Sequence, residues 1–200
     1  MTAPFRRHAY KAMLWAGCVA GVFVGAPVAA ERGLDPDRFA LAVVVLLVPA
    51  LSGARAWFVL RRPDAYSSRG GSALFGGLIV SAVVSVPVLA VAALPYLAFW
   101  DAAAVTMLVG LAVTRVGCLA HGCCAGRETT GPLAVRLPDL SRRWRRRYPT
   151  QLLEMGFAVV VLTFALAMRR QVPTDGMLFV TVVTLYVGFR TVCAPLRLAQ

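Results

Sequence analysis

Six apolar runs, each near the length of a bilayer crossing, decide what this chain can fold into. They lie at about 12–30, 39–60, 70–94, 102–120, 151–168 and 177–193. A backbone in hydrocarbon must satisfy its own hydrogen bonds, and a crossing helix needs roughly 20 residues. The runs therefore read as helices, separated by polar turns such as ERGLDPD (31–37), with Gly33 and Pro36 as breakers. Composition agrees: 59% of residues are apolar and 15% charged, too oily for a soluble domain of 200 residues. The expected fold is all-α, a polytopic integral membrane helical bundle of about six transmembrane helices. It forms a single integral membrane domain over 1–200, with both termini on one side and a basic interfacial loop at about 127–149. The first run follows Arg6, Arg7 and Lys11 and ends in Val28-Ala29-Ala30, which also suits a secretory signal; it is read as an uncleaved helix.

The net charge of +12 is carried by arginine, since Lys11 is the only lysine. A basic chain can serve nucleic acid. Here the arginines lie between apolar runs, which points to anionic lipid headgroups and not to nucleic acid. Arg136, Arg142, Arg143, Arg145, Arg146 and Arg147 surround Trp144, a pattern suited to a membrane interface. One side of the membrane, holding 1–11, 61–69 and 127–148, carries most of the arginines. The positive-inside rule would place that side in the cytoplasm.

The densest chemistry lies at TRVGCLAHGCCAGR (114–127), where the fourth run stops being oily. On a helix Arg115, Cys118 and Gly122 fall at i, i+3 and i+7, on one face. Gly122 and Gly126 would form a small-xxx-small pair that lets a backbone or ligand come close. A cation, thiols and an imidazole are costly to keep at a membrane boundary, so together they mark a candidate site. Singly, the arginine could snorkel to headgroups and the cysteines could pack as small hydrophobes. The cysteines at 18, 118, 123, 124 and 193 are not spaced as a disulfide framework or a paired CxxC site. Cys118 and His121 could share a helical face, but adjacent Cys123 and Cys124 would point apart, which argues against a metal centre. No metal or cofactor is expected. Arg55 interrupts the second run, and the Gly70-Gly71 and Gly76-Gly77 pairs allow close approach at the third. Thr150 is placed to cap the fifth helix. Glu154 lies in its first turns, suited to the dipole or to pairing a membrane arginine.

Tyr10 at the start of the first run, then GLDPDR (33–38), SGARAWFVL (52–60), GGSALFGGLI (70–79), RVGCLAHGCCAGR (115–127), LAVRLP (133–138), YPTQLLE (148–154), Gly188-Phe189-Arg190 and Pro195-Leu196-Arg197 together resemble the prolipoprotein diacylglyceryl transferase family. The resemblance covers nearly the whole chain. It implies transfer of a diacylglyceryl group from phosphatidylglycerol to the lipobox cysteine thiol of a prolipoprotein signal peptide, releasing glycerol phosphate. The setting would be the bacterial plasma (inner) membrane, with the catalytic, arginine-rich side facing outward. Arg115 and Arg190 match arginines to which the family assigns the phosphate. Tyr10, Arg55, Gly76, Gly77, Cys118, Gly122, Gly126, Arg127 and Glu154 fall in matching motifs and are the expected substrate contacts. The departures are specific. Phe75 stands where the family has histidine, Cys118 and His121 where it has asparagine, and Tyr148-Pro149 where it has histidine-proline. The family's usual further helix would follow the last run. With Phe75 unable to take a proton, His121 becomes the candidate base, since an imidazole has an unperturbed pKa near 6.5. Two alternatives remain: an inactive member that binds anionic lipid or a partner protein, and a membrane thiol or metal site at Cys118, His121, Cys123 and Cys124.

Overall fold

The computed structural model describes residues 3–61, 74–138, 143–172 and 174–197, without the side chains of 3–7, 61, 74 and 75. Within them lie α1 (Ala3–Glu31), α2 (Pro36–Arg61), α3 (Leu74–Val91), α4 (Tyr96–His121), β1 (Val135–Pro138), β2 (Trp144–Arg147), α5 (Thr150–Met168) and α6 (Met177–Val192). A 3-10 turn, Ala194–Leu196, follows α6. Among the described residues four stretches are long and apolar enough to cross a membrane: His8–Glu31, Pro36–Leu60, Tyr96–His121 and Thr150–Met168. The apolar parts of α3 and α6, Gly76–Val91 and Met177–Val192, are shorter. Phe23, Val48, Val83, Val91 and Val160 are exposed on helix surfaces, as side chains facing lipid must be. The chain is a multi-pass membrane protein.

Several boundaries differ from the sequence expectation: α1 starts at Ala3 rather than 12, α2 at Pro36 rather than 39, and α3 ends at Val91 rather than 94. α4 starts at Tyr96 rather than 102, because Pro95 precedes a helix without penalty and its carbonyl accepts from Phe99 N–H at 3.0 Å. The basic segment is not all loop: β1 and β2 pair antiparallel, Val135 with Arg147 and Pro138 with Trp144. Leu137 and Arg147 are buried while the rest of the hairpin is exposed or half-buried, and Arg147 pairs with Glu128 at 3.1 Å.

The fold divides into two compact units, Met1–Val28 with Asp101–Gln200, and Ala29–Trp100. In the first, α1 and α4 meet backbone to backbone. A Cβ on Gly17 would lie 3.0 Å from Gly110 O, and one on Gly21 2.6 Å from Thr106 O. Fully buried Asp101 of α4 accepts from Gly176 N–H at 3.0 Å and Phe179 N–H at 2.9 Å. It thereby neutralises the first turn of α6, whose amides have no partners within the helix. Phe157 and Phe189 stack at 4.1 Å between α5 and α6.

In the second unit α2 and α3 make the close approach. A Cβ on Gly53 would sit 2.6 Å from Val80 Cβ, and one on Gly77 2.7 Å from Ala50 O. The Gly76 and Gly77 backbones are thus occupied by α2 itself. Phe39 packs on Phe99 with ring centroids 5.4 Å apart, and the Tyr96 hydroxyl donates to Ala82 O at 2.9 Å.

Candidate functional site

The site is built where α4 ends. Gly122 takes φ 80° and donates its N–H to Cys118 O at 2.9 Å, a left-handed cap that stops the helix at His121. Cys124 follows with φ 58°, rare for a residue bearing a side chain. The chain is thereby turned back, and two sequence expectations are overturned. Gly126 is not on the helix with Gly122. It bridges Arg197 instead, and the Tyr148 carbonyl lies where a Cβ would stand. Cys123 and Cys124 do not point apart on a helix either. They have left it, and their sulfurs and that of Cys118 all lie within 4.8 Å of one another.

α5 holds the two cysteines in place. Thr150 was expected to cap α5. Its hydroxyl instead donates to Cys124 O at 2.7 Å, and the N-cap Pro149 offers no side-chain bond. Gln151 Nε2 donates to Cys123 O at 2.8 Å. Among the described residues Gln151 Oε1 is buried with no hydrogen-bond partner. Arg115 approaches from α4, donating to Cys118 Sγ at 3.8 Å. Hydrogen bonds from the Cys118 and Cys123 thiols, with the Arg115 guanidinium beside them, hold the Cys124 thiol far below the usual thiol range. Hydrogen bonding to the Cys118 and Cys124 sulfurs, followed by burial, pushes the Cys123 thiol up.

Against this loop stands a second cluster. Glu154, on α5 and 2% exposed, pairs with Arg115 and with Arg197, and meets Arg190 Nη1 at 3.5 Å. Arg190 also donates to the Tyr186 hydroxyl at 3.1 Å. Three guanidinium groups share one carboxylate, which leaves positive charge in excess, offset in part by the Cys124 thiol beside Arg115. Burial, and then the neighbouring Arg115, lower the Arg197 pKa from its ordinary value. Such a surplus in a half-buried setting calls for an anion.

The other candidates take varied places. His121 is in the last turn of α4, its ring 5.9 Å from that of Tyr10. Arg127 exposes its side chain, while its backbone N–H donates to Leu196 O at 2.9 Å. Arg55 belongs to the other unit, its guanidinium 5.7 Å from the Phe58 ring, and Gly76 and Gly77 lie there too. The Phe75 side chain lies outside the described residues. Arg197, Tyr186, Thr150 and Gln151 were not among the expected site residues. Arg197 follows the last apolar run, so hydropathy had no means to assign it depth. Gln151 falls within YPTQLLE but carries no charge to single it out.

The family model described as prolipoprotein diacylglyceryl transferase matches residues 1–200. A phosphatidylglycerol–prolipoprotein diacylglyceryl transferase of Bacillus velezensis is 28% identical over 226 residues, covering 98% of this chain and 83% of its own. That of Shouchella clausii is 26% identical over 211 residues, covering 98% and 76%. That of Dehalococcoides mccartyi is 31% identical over 110 residues, 48% of this chain. In that case the match spans only 38% of the relative's length.

Proposed function

The chain belongs to the prolipoprotein diacylglyceryl transferase family, and from that premise we propose that it transfers the diacylglyceryl group of phosphatidylglycerol to the cysteine thiol of a prolipoprotein in the bacterial plasma membrane. The observation that carries this reading is the surplus of positive charge where Arg115, Arg190 and Arg197 share Glu154. A phosphodiester carries one negative charge. When the acceptor sulfur attacks the glyceryl carbon, the carbon–oxygen bond breaks and its electron pair leaves on glycerol phosphate, which gains a second negative charge. Arginines placed beforehand stabilise that gain more than they stabilise the bound lipid, which is what accelerates the step. Glu154 is proposed as a positioning residue here: it holds the three guanidinium groups together. The lipobox region of the signal peptide brings the thiol. His121 is proposed to accept the thiol proton, and the Tyr10 ring flanks it. The arginine-rich side is proposed to face outward.

One observation favours a second reading, a member that binds anionic lipid without turnover. Phe75 stands where the family pattern carries histidine, and phenylalanine can neither take nor give a proton. The deciding experiment incubates purified protein with labelled phosphatidylglycerol and a lipobox peptide. Label on the peptide, lost in Arg115→Gln and in His121→Gln with lipid binding kept in the latter, supports transfer with His121 as base. Full turnover in His121→Gln removes it from the mechanism. No labelled peptide with the unaltered protein, across several lipobox sequences, refutes transfer.

A further inference from the structure

The geometry points to a zinc site on the loop after α4: Cys118, Cys123 and Cys124 as three thiolate ligands, with the fourth tetrahedral position left to an exogenous thiol. Sulfur-only donor sets select thiophilic cations, and among common ones Zn2+ is the redox-silent choice that accepts three protein ligands plus one open position. The three sulfurs already lie within 4.8 Å of one another. In a tetrahedral site with zinc–sulfur bonds of about 2.3 Å they would stand about 3.8 Å apart. The adjustment needed is therefore at most about an ångström, within the reach of side-chain rotation.

Four features suit this loop to a ligand set. Its backbone is fixed from outside: Thr150 holds the Cys124 carbonyl at 2.7 Å and Gln151 the Cys123 carbonyl at 2.8 Å. Partners of that kind orient metal ligands in established centres. The left-handed conformation at Cys124, otherwise a cost with no return, is what brings adjacent cysteines to one point with Cys118. Charge also balances. Three thiolates on a dication carry one net negative charge, and the Arg115 guanidinium stands 3.8 Å from Cys118 Sγ. The unpartnered Gln151 Oε1, on a residue only 1% exposed, supplies an acceptor beside the cluster for a water or a donor group on the exogenous ligand.

The role of the open position rests on the transferase reading: it takes the acceptor cysteine. Binding to zinc lowers the pKa of a thiol until it loses its proton, which His121 takes up in the transferase reading. The sulfur then forms the carbon–sulfur bond to the glyceryl carbon as the carbon–oxygen bond to phosphate breaks and glycerol phosphate departs. That route needs no histidine at 75.

The test uses the full chain in neutral detergent, reduced and loaded with Zn2+ or Co2+ alone. Wild type should retain one metal per chain after desalting. Cobalt should give sulfur-to-metal charge-transfer absorption in the near ultraviolet and tetrahedral bands in the visible. Cys118→Ser, Cys123→Ser and Cys124→Ser should each lose stoichiometric metal, while Cys18→Ser and Cys193→Ser keep it. Gln151→Leu should weaken affinity by about 10–100-fold. Circular dichroism separates metal loss from unfolding in the serine variants, and the wild-type cobalt spectrum stands without them. A lipobox peptide should shift that spectrum, and the same peptide with serine for cysteine should not. Wild type without metal, or retention in all three serine variants, overturns the site. A spectrum unmoved by the peptide overturns the open position. Metal content is read without turnover, so metal-free protein that still lipidates refutes only this proposal. Metal-loaded protein that lipidates nothing refutes only the transferase.

Discussion

Replacing Glu154 by glutamine removes the one charge that three arginines share while keeping the side-chain volume. Arg115 decides the magnitude, because its side chain is only 12% exposed and that of Glu154 only 2%. Breaking a buried pair by removing one partner costs about 3–5 kcal/mol, since the remaining charge is left uncompensated. Arg190 and Arg197 keep 27% and 24% exposure, so solvent screens them and each adds about 0–1 kcal/mol. Glutamine still offers one acceptor oxygen, which places the total near the lower bound, about 3 kcal/mol. For a chain of this size that corresponds to a fall in thermal midpoint of about 6–12 °C. The assay is thermal unfolding in neutral detergent, followed by helical circular dichroism. A second arm repeats it in micelles doped with phosphatidylglycerol or with phosphatidylcholine. The variant removes the carboxylate that offsets the three arginines, so the anionic lipid should restore more of its stability than the zwitterionic one, and more than it gives wild type. A fall of under about 2 °C, equivalent to less than 1 kcal/mol, would refute the shared-carboxylate account. An equal response to both lipids would refute the anion surplus.

Other consequences are equally direct. Asp101→Ala strips two backbone N–H groups at the start of α6 of their acceptor. It should cost about 2–3 kcal/mol and speed amide exchange over the first turn of α6 ahead of α5. Gly21→Leu drives a side chain into the Thr106 carbonyl. It should lower stability by at least about 1–3 kcal/mol, measured by the same unfolding assay. Gly156→Ala meets nothing within 4 Å on α5 and should raise stability by about 0.5–1 kcal/mol through helix propensity. A fall there would show that this face is packed. Arg190→Gln keeps an amide donor for Tyr186 but loses a charge, and should weaken phosphatidylglycerol binding in a vesicle sedimentation assay while leaving phosphatidylcholine binding unchanged.

Much of this protein follows from the sequence alone. A run of about 20 apolar residues in hydrocarbon has the helix as its only single-segment solution, so hydropathy is enough to place the helices, with errors mainly at their ends. Pro95 shifts one such end because a proline just before a helix costs nothing. Motif order across nearly the whole chain is enough to suggest the family. Glycine's cost in a helix makes Gly76, Gly77 and Gly122 notable, but does not say what each is for. Gly76 and Gly77 admit α2, and Gly122 ends α4.

What only the tertiary structure decided is which groups meet. Glu154 draws arginines from α4, α6 and the turn after it. Helical periodicity assigns each residue a face on its own helix and is silent about which faces meet. The cysteines show the same limit more sharply. On a continued helix Cys123 and Cys124 diverge; Gly122 ends the helix but does not say where the two cysteines go. Their convergence on Cys118 depends on a left-handed residue at 124 whose carbonyl, with that of 123, is held by Thr150 and Gln151 from a helix further along the chain. A strained local conformation persists only when distant contacts outweigh it, and such contacts exist only once the chain has folded.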